Sequence, residues 1–386
     1  MAALYFHIPF CAKRCIYCDF YFVTTNRLYE PFTEAILLEV EHHGRKYGKK
    51  EKIHTLYFGG GTPSLMPLKE LSRILDATAK WFDVSKVQET TIEVNPDDLT
   101  LSYLQGLREI GFDRLSIGIQ SFHEADLAFL GRAHNQAQAY DSLSLARKTG
   151  FENFSIDLIY GLPNQSLADW ERNLETALAY KVPHISAYSL TVESGTVLNK
   201  KVLKGQIRPT EEGDMGSLFG FTSSYLTNRG YEHYEISNFS RPDFRSRHNQ
   251  RYWTHENYIG FGPSAHSFWW DKPPSATVQR WENVRNLLQY QKLLLQEYTL
   301  PISASDWLAP EEVINEYVML RLRTDDGIDL AHLEHHYGYD LLMEKLEEIA
   351  WLEAEDFIHP IKKHHLRLTL KGKMVCDAIT QRLLKP

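Results

Sequence analysis

Three cysteines, Cys11, Cys15 and Cys18, stand within eight residues of one another in the stretch "YFHIPFCAKRCIYCDF" (5–20); the remaining 378 positions of the chain hold one more, Cys376. In a reducing compartment, clustered thiols are metal ligands more often than disulfide partners. Spaced C-x3-C-x2-C, they can bind three irons of a cubane 4Fe–4S cluster and leave the fourth iron without a protein ligand, because thiolates are soft donors. Zinc is the rival, yet a structural zinc wants four ligands. Asp19 is too close to Cys18 to be a convincing fourth, and His7 belongs to the preceding strand. Three buried free thiols are the plain alternative. Cys376 reads as a small apolar helix residue.

A second signal follows in "YFGGGTPSL", where Gly59, Gly60 and Gly61 end a predicted strand ahead of Thr62 and Pro63. Consecutive glycines let the backbone approach a ligand without side-chain obstruction. Alone, such a triplet is more often a turn.

Strands and helices must hold these groups in place. Segments 4–10, 53–61, 90–96, 114–121, 154–161 and 184–191 are rich in β-branched and aromatic residues. Between them lie stretches of helical spacing, such as Leu68, Leu71, Leu75, Thr78 and Phe82. Alternation of this kind predicts an α/β fold on a parallel sheet, open or curled into a barrel. Within the strands, Leu115, Ile117 and Ile119 share a face opposite Ser116, Gly118 and Gln120, Ile92 and Val94 oppose Glu93 and Asn95, and Asp157 opposes Ile156 and Leu158. A parallel strand buried on both faces should be nearly all apolar. Polar residues near carboxyl ends of strands instead mark the usual place of an α/β-barrel active site. The bland reading is that they cap the following helices.

The formal net charge is −8 and no basic stripe occurs, which argues against a nucleic-acid partner. No apolar run is long enough to span a bilayer, and the first residues lack a secretory layout, so a cytoplasmic protein is expected. Residues 231–270 show little periodicity and are expected as loops crossing the mouth of a site. From about 300 the chain turns helical, with a short β-ribbon after 357, as in a small winged-helix-like domain. The expected divisions are 1–230, 231–299 and 300–386.

The cysteine triad and the glycine triplet together resemble radical S-adenosylmethionine (SAM) proteins, over nearly the whole chain. The closer resemblance is to the branch containing the oxygen-independent coproporphyrinogen III oxidases and their haem-chaperone relatives. It implies a partial (β/α)6, TIM-like barrel with a smaller, mainly helical carboxyl-terminal domain. It also implies SAM chelated to the free iron by its amino and carboxylate groups, then cleaved reductively to methionine and a 5′-deoxyadenosyl radical. Carried over by position, Tyr5 is a SAM contact, Tyr17 lies beside the adenine, and Gly60, Gly61 and Thr62 face the methionine amino group. Glu93, Gln120, Arg132 in "LGRAHN" and Asp157 hold the rest of SAM.

Phe20 separates the two branches. The resembling oxidases carry a fourth cysteine two residues after the third, where this chain reads "CDF". They also carry an amino-terminal segment of tens of residues, whereas a first strand is expected here almost from Met1. Both departures point to the chaperone type. The positive sign is "RHNQRYW" (247–253), matching the H-N-x-x-Y-W motif associated with haem binding in those relatives. It makes His248 the expected axial ligand and Asn249, Tyr252 and Trp253 its surroundings. Charge alone suggests Arg247 and Arg251 as partners of the propionates. His266 is the alternative ligand. The bland reading has His248 and Asn249 stabilise a loop while Tyr252 and Trp253 pack into the core. The pairs His42–His43, His335–His336 and His364–His365 are expected to be solvated.

The resemblance thus implies a haem chaperone carrying a cluster and SAM, and a radical SAM enzyme acting on a porphyrin is the alternative. Implied partners are haem, an undefined haem-acceptor protein and an electron donor for the cluster. Membrane contact through a client, and a homodimer, are compatible with it.

Overall fold

The computed structural model describes residues 1–25, 27–271 and 277–385. Six parallel strands stand where alternation predicts them: β1 (Ala2–Ile8), β2 (Ile53–Gly60), β3 (Glu89–Val94), β4 (Arg114–Gln120), β5 (Phe154–Tyr160) and β6 (His184–Ser189). They are neighbours in that order. The crossover helices include Tyr29–Tyr47, Leu68–Trp81, Leu101–Glu109, Gln136–Lys148 and Leu167–Ala179. Leu115, Ile117, Ile92, Val94, Ile156 and Leu158 face these helices and are buried, so the opposite faces of the same strands line the barrel interior. That is the polar face read from sequence.

Residues 231–270 differ from expectation. They form β7 (Glu232–Glu235), β8 (Asn238–Ser240), the helix Arg247–Trp253, β9 (Asn257–Phe261) and β10 (His266–Trp270). These strands are three to five residues long and mostly buried on both faces, so no alternation marks them. With β11 (Val278–Asn283) and β12 (Ile302–Trp307) they complete a twelve-stranded sheet among the described residues, ordered β12-β11-β10-β9-β1-β2-β3-β4-β5-β6-β8-β7. β9 adds a seventh parallel strand beside β1, and β12 and β7 are the outermost strands, with the edge of β7 covered where Thr324 bridges Glu235.

One apolar core runs from Ala2 to Ile302, and a second from Ile314 to Leu384. The second core belongs to the mainly helical end, whose helices include Pro310–Leu322, Leu330–Tyr337 and Cys376–Leu383. A ribbon forms where Ile358 bridges Leu368, and Cys376 is buried in a helix as expected. His255 and Arg280 of the barrel reach Glu316 at 3.1 and 2.8 Å, and Arg245 makes a bidentate pair with Asp325. These contacts seat the helical end against the sheet.

A buried carboxylate ties the first helix to the sheet edge. Glu39 accepts from the backbone of Gly262 at 2.8 Å, from Asn283 at 2.6 Å and from Tyr290 at 2.5 Å.

Candidate functional site

The cysteine loop leaves β1 and is fixed by backbone bonds at several points. Cys11 N–H donates to Val23, Val23 donates to Pro9, Ile16 donates to Leu130, and Leu198 donates to Ile16. The loop therefore has defined partners at both its base and its crown. Its three thiols line a cavity of about 540 Å³ at the carboxyl ends of the strands. Tyr17, Gly60, Gly61, Thr62, Glu93, Gln120, Arg132 and Asp157 line the same cavity. Of the positions assigned to SAM, Tyr5 stands apart: its ring stacks beside Tyr57 at 6.1 Å and its hydroxyl meets His7 Nδ1 at 3.2 Å.

The glycine loop has its composition for steric reasons. A Cβ at Gly59 would fall 2.7 Å from Glu93 Oε1. Gly60 has a φ of 109°, and a Cβ there would meet the His7 ring at 2.6 Å. With no side chains in the way, Gly60 N–H donates to Glu93 Oε2 at 3.0 Å while Tyr57 donates to Oε1 at 2.8 Å. Both donors belong to β2, so each oxygen of Glu93 is held from the neighbouring strand. Gln120 closes β4 at a φ of 65°, just past a break in register with β5. A non-glycine residue in this left-handed conformation is uncommon and is found preferentially at functional sites.

Arg132 gathers the far wall. Its guanidinium donates to Asn95 Oδ1 at 2.5 Å, to Gly118 O at 2.9 Å and to Cys15 Sγ at 3.5 Å, while Asn95 Nδ2 donates to Thr62 Oγ1 at 3.1 Å. Thr62 in turn reaches Cys11 Sγ at 3.6 Å. Motif matching missed Asn95 and Ser116, which line the cavity, the latter bonding Asp157 at 3.4 Å, and Tyr57, which holds Glu93 from behind it. The alternation in β3 and β4 had already put Asn95 and Ser116 on the polar face, so the signal for them was present.

Electrostatics fit a cationic group in this cavity. Burial pushes the Cys11 thiol up to about 11, with Thr62 opposing and the other two cysteines adding to the shift. Cys18 also rises to about 11 through burial, opposed by a backbone bond from Phe20 and reinforced by Cys15 and Asp19. Burial lifts Glu93 to about 7, with Asp157 adding like-charge repulsion, and burial raises Asp157 too. Thiols and carboxyls held up in this way ionise readily only when positive charge arrives. Among the described residues no three His, Cys, Asp or Glu side chains converge on one ion.

The residues of the haem motif lie elsewhere. The helix Arg247–Trp253 fills the amino-terminal end of the barrel, opposite the cysteine cavity. Its first amides, of Arg247 and His248, donate to Glu89 at 3.0 Å each. His248 is 1% exposed. Its Nδ1 bonds Thr55 Oγ1 at 2.9 Å and its Nε2 bonds the Tyr252 hydroxyl at 2.9 Å. Burial lowers this imidazole to about 3. Asn249 donates its backbone N–H to Ser246, and Trp253 ends the helix half-buried. Arg251 is taken up by both oxygens of Glu256, and Arg247 reaches Gln88. His266 instead begins β10 with its side chain 58% exposed, 3.6 Å from Glu282. Of the paired histidines, His43 is buried rather than solvated.

A partial parallel barrel with a three-cysteine loop and a glycine strand end at its mouth defines the class. The chain belongs to the radical SAM superfamily, with the domain architecture shared by HemN and HemW proteins. Residues 5–177 match the Radical SAM superfamily and residues 308–375 match the HemN C-terminal domain. The chain is 34% identical over 383 residues to "Heme chaperone HemW" of Lactococcus lactis, covering 98% of this chain and 96% of that relative. It is 32% identical over 385 residues to the protein of the same name from Mycobacterium tuberculosis, covering 99% and 94%. It is also 32% identical over 390 residues to "Radical S-adenosyl methionine domain-containing protein 1, mitochondrial" of Mus musculus, covering 99% and 87%. The solved coproporphyrinogen III oxidase HemN of Escherichia coli shares the fold at a TM-score of 0.84 and 24% identity, over 100% of this chain and 90% of that one. Membership implies use of SAM with an iron–sulfur cofactor in general terms.

Proposed function

We propose that the protein is a cytoplasmic haem chaperone that carries a 4Fe–4S cluster with SAM and passes haem to an acceptor protein. What carries this proposal is end-to-end similarity to relatives named haem chaperones, joined to Phe20 in place of a fourth cysteine. Phe20 is 65% exposed beside Cys18, so the loop offers an apolar face where the oxidase pattern has a thiol.

Cys11, Cys15 and Cys18, which line one cavity, would each hold one iron. Gly60, Gly61 and Thr62 would meet the methionine amino group, Tyr17 the adenine, and Glu93, Gln120, Arg132 and Asp157 the remaining polar groups, with Tyr5 behind them. With both cofactors in place, the chemistry available is one-electron cleavage of the sulfonium. The protein's own part is to orient that cation between two carboxylates and keep Arg132 against the cysteine loop.

For haem, a second cavity of about 740 Å³ adjoins the first across the cysteine loop. It is lined by Phe20 and Phe22 for the macrocycle and by Arg14 and Arg285 for the propionates, with Asp19 the opposing charge. His266 starts β10 directly opposite Glu282, three residues before Arg285, and offers an accessible imidazole. His248 could serve as the ligand only after release from Thr55 and Tyr252.

The test is anaerobic. Reconstituted protein is titrated with haemin at the Soret band and assayed for coproporphyrinogen III conversion with SAM and reductant. One haem bound per chain, movable to an apo-haem protein, with no conversion, is the expected result. Conversion without tight haem binding would make the protein a porphyrin-acting radical SAM enzyme instead.

A further inference from the structure

The helix Arg247–Trp253 has an obvious structural address and no assigned task at the cofactor cavity. Three observations connect it to that cavity. The His248 imidazole stacks on the Tyr57 ring at 4.9 Å with 28° between planes, and both of its nitrogens are fixed, by Thr55 on the same strand as Tyr57 and by Tyr252 one helical turn on. Tyr57 then donates its hydroxyl to Glu93 Oε1, and Glu93 Oε2 receives the Gly60 amide. Finally, Glu89, at the start of the strand that carries Glu93, accepts both leading amides of the helix. The floor, one aromatic ring and one carboxylate therefore form a continuous column from the base of the barrel to its glycine-lined mouth.

We infer that His248 and Tyr252 are positioning residues for the SAM site, holding Tyr57 so that Glu93 and the Gly60 amide keep their places. This rests on the proposed binding of SAM in the cysteine cavity. His248 suits the task because burial keeps it neutral, so that one nitrogen donates and the other accepts without bringing a charge into the barrel. Tyr252 is braced in turn by Tyr258, edge-on at 4.7 Å. Losing the imidazole leaves Thr55 and Tyr252 without their buried partner and Tyr57 with an empty space against one face. The hydroxyl of Tyr57 then no longer sits where Glu93 needs it.

The experiment uses full-length protein reconstituted anaerobically, with SAM affinity read by equilibrium dialysis, cluster content by iron and sulfide analysis, and haem by the Soret band. Replacing His248 by Ala should weaken SAM binding about tenfold, the scale of a lost buried hydrogen-bond partner, with iron and sulfide unchanged. Tyr57→Phe keeps the ring stack but removes the bond to Glu93, and should reproduce most of that loss with little change in thermal stability. The decisive reading is a double-mutant cycle. His248→Ala placed on Glu93→Ala should add less than twofold, because both act along one column, whereas a general loss of packing would add in full. Haem binding should persist in His248→Ala. SAM affinity unchanged in His248→Ala, with the Soret band lost, would overturn the inference and return His248 to the haem. Additive losses in the cycle would overturn it too. Failure of the wild type to bind SAM would remove the underlying reading, and is seen before any variant is made.

Discussion

Arg132 donates to the side-chain oxygen of Asn95 at 2.5 Å, and the amide nitrogen of that same Asn95 donates to Thr62. One amide thus spans the two walls of the cofactor cavity, from the arginine that touches Cys15 to the threonine that touches Cys11. Replacing Asn95 by Ala should weaken SAM binding by roughly five- to tenfold, while cluster content stays near wild type because each cysteine keeps its loop. Equilibrium dialysis beside iron analysis separates the two. Equal loss of iron and SAM would show that Asn95 supports the cysteine loop itself.

SAM binding should release protons near neutral pH. Burial holds Glu93 up to about 7 and raises Asp157, so the empty cavity retains protons that a bound sulfonium and ammonium would displace. The sign follows: affinity rises with pH through about 7 and levels off above it. Calorimetry in buffers of different ionisation enthalpy measures the release directly, and Glu93→Gln should reduce it. Affinity independent of both pH and buffer would show that the carboxylates are already ionised in the empty protein.

Glu39 should make the fold more stable in mildly acidic than in alkaline solution. Burial raises its carboxyl to about 7, opposed by bonds from Tyr290, Gly262 and Asn283. The native state therefore keeps a proton that the unfolded chain gives up near its ordinary value. Stability attributable to this group is present below that ordinary value and declines as pH rises towards about 7, by roughly 3 kcal/mol in all. Urea unfolding on either side of neutrality, at roughly pH 5.5 and pH 8, should show wild type losing more stability than Glu39→Gln. Parallel pH profiles for the two proteins would place the dependence elsewhere.

The pocket beside the cysteine loop should take haem through its arginines. Arg285→Ala should lower haemin affinity about tenfold and leave SAM affinity alone, since Arg285 lines only the outer cavity. His266→Ala should change the position of the Soret band, and His248→Ala should not. The reverse pattern for the two histidines would move the haem site to the barrel floor.

Alternation made the barrel legible. In β3, β4 and β5, apolar residues facing the helices alternate with Glu93, Ser116, Gln120 and Asp157 facing inward, and both sides of that pattern stand in the chain. Residues of the cysteine and glycine motifs line one cavity with them. The floor was not legible, for a physical reason. β7 to β10 are too short to show a period, and the seven-residue helix carrying His248 is oriented by Glu89 and Thr55, more than 150 residues earlier in the chain. A histidine set in a run of aromatics looks the same whether it faces a ligand or props up a tyrosine. Asn95 was visible as a face residue, but its role became clear only with Arg132 beside it, 37 residues on.

The backbone bonds that anchor the cysteine loop also bear on how the protein is made. Cys11 is tied to Val23, whereas Ile16 lies between Leu130 and Leu198, more than one hundred residues further along the chain. The crown of the cysteine loop is therefore a junction of distant segments, which can close only after the strands between them have been laid down. Contacts of that span are the slow kind, so the mouth of the cavity belongs to the late steps of folding even though its cysteines are among the first residues synthesised.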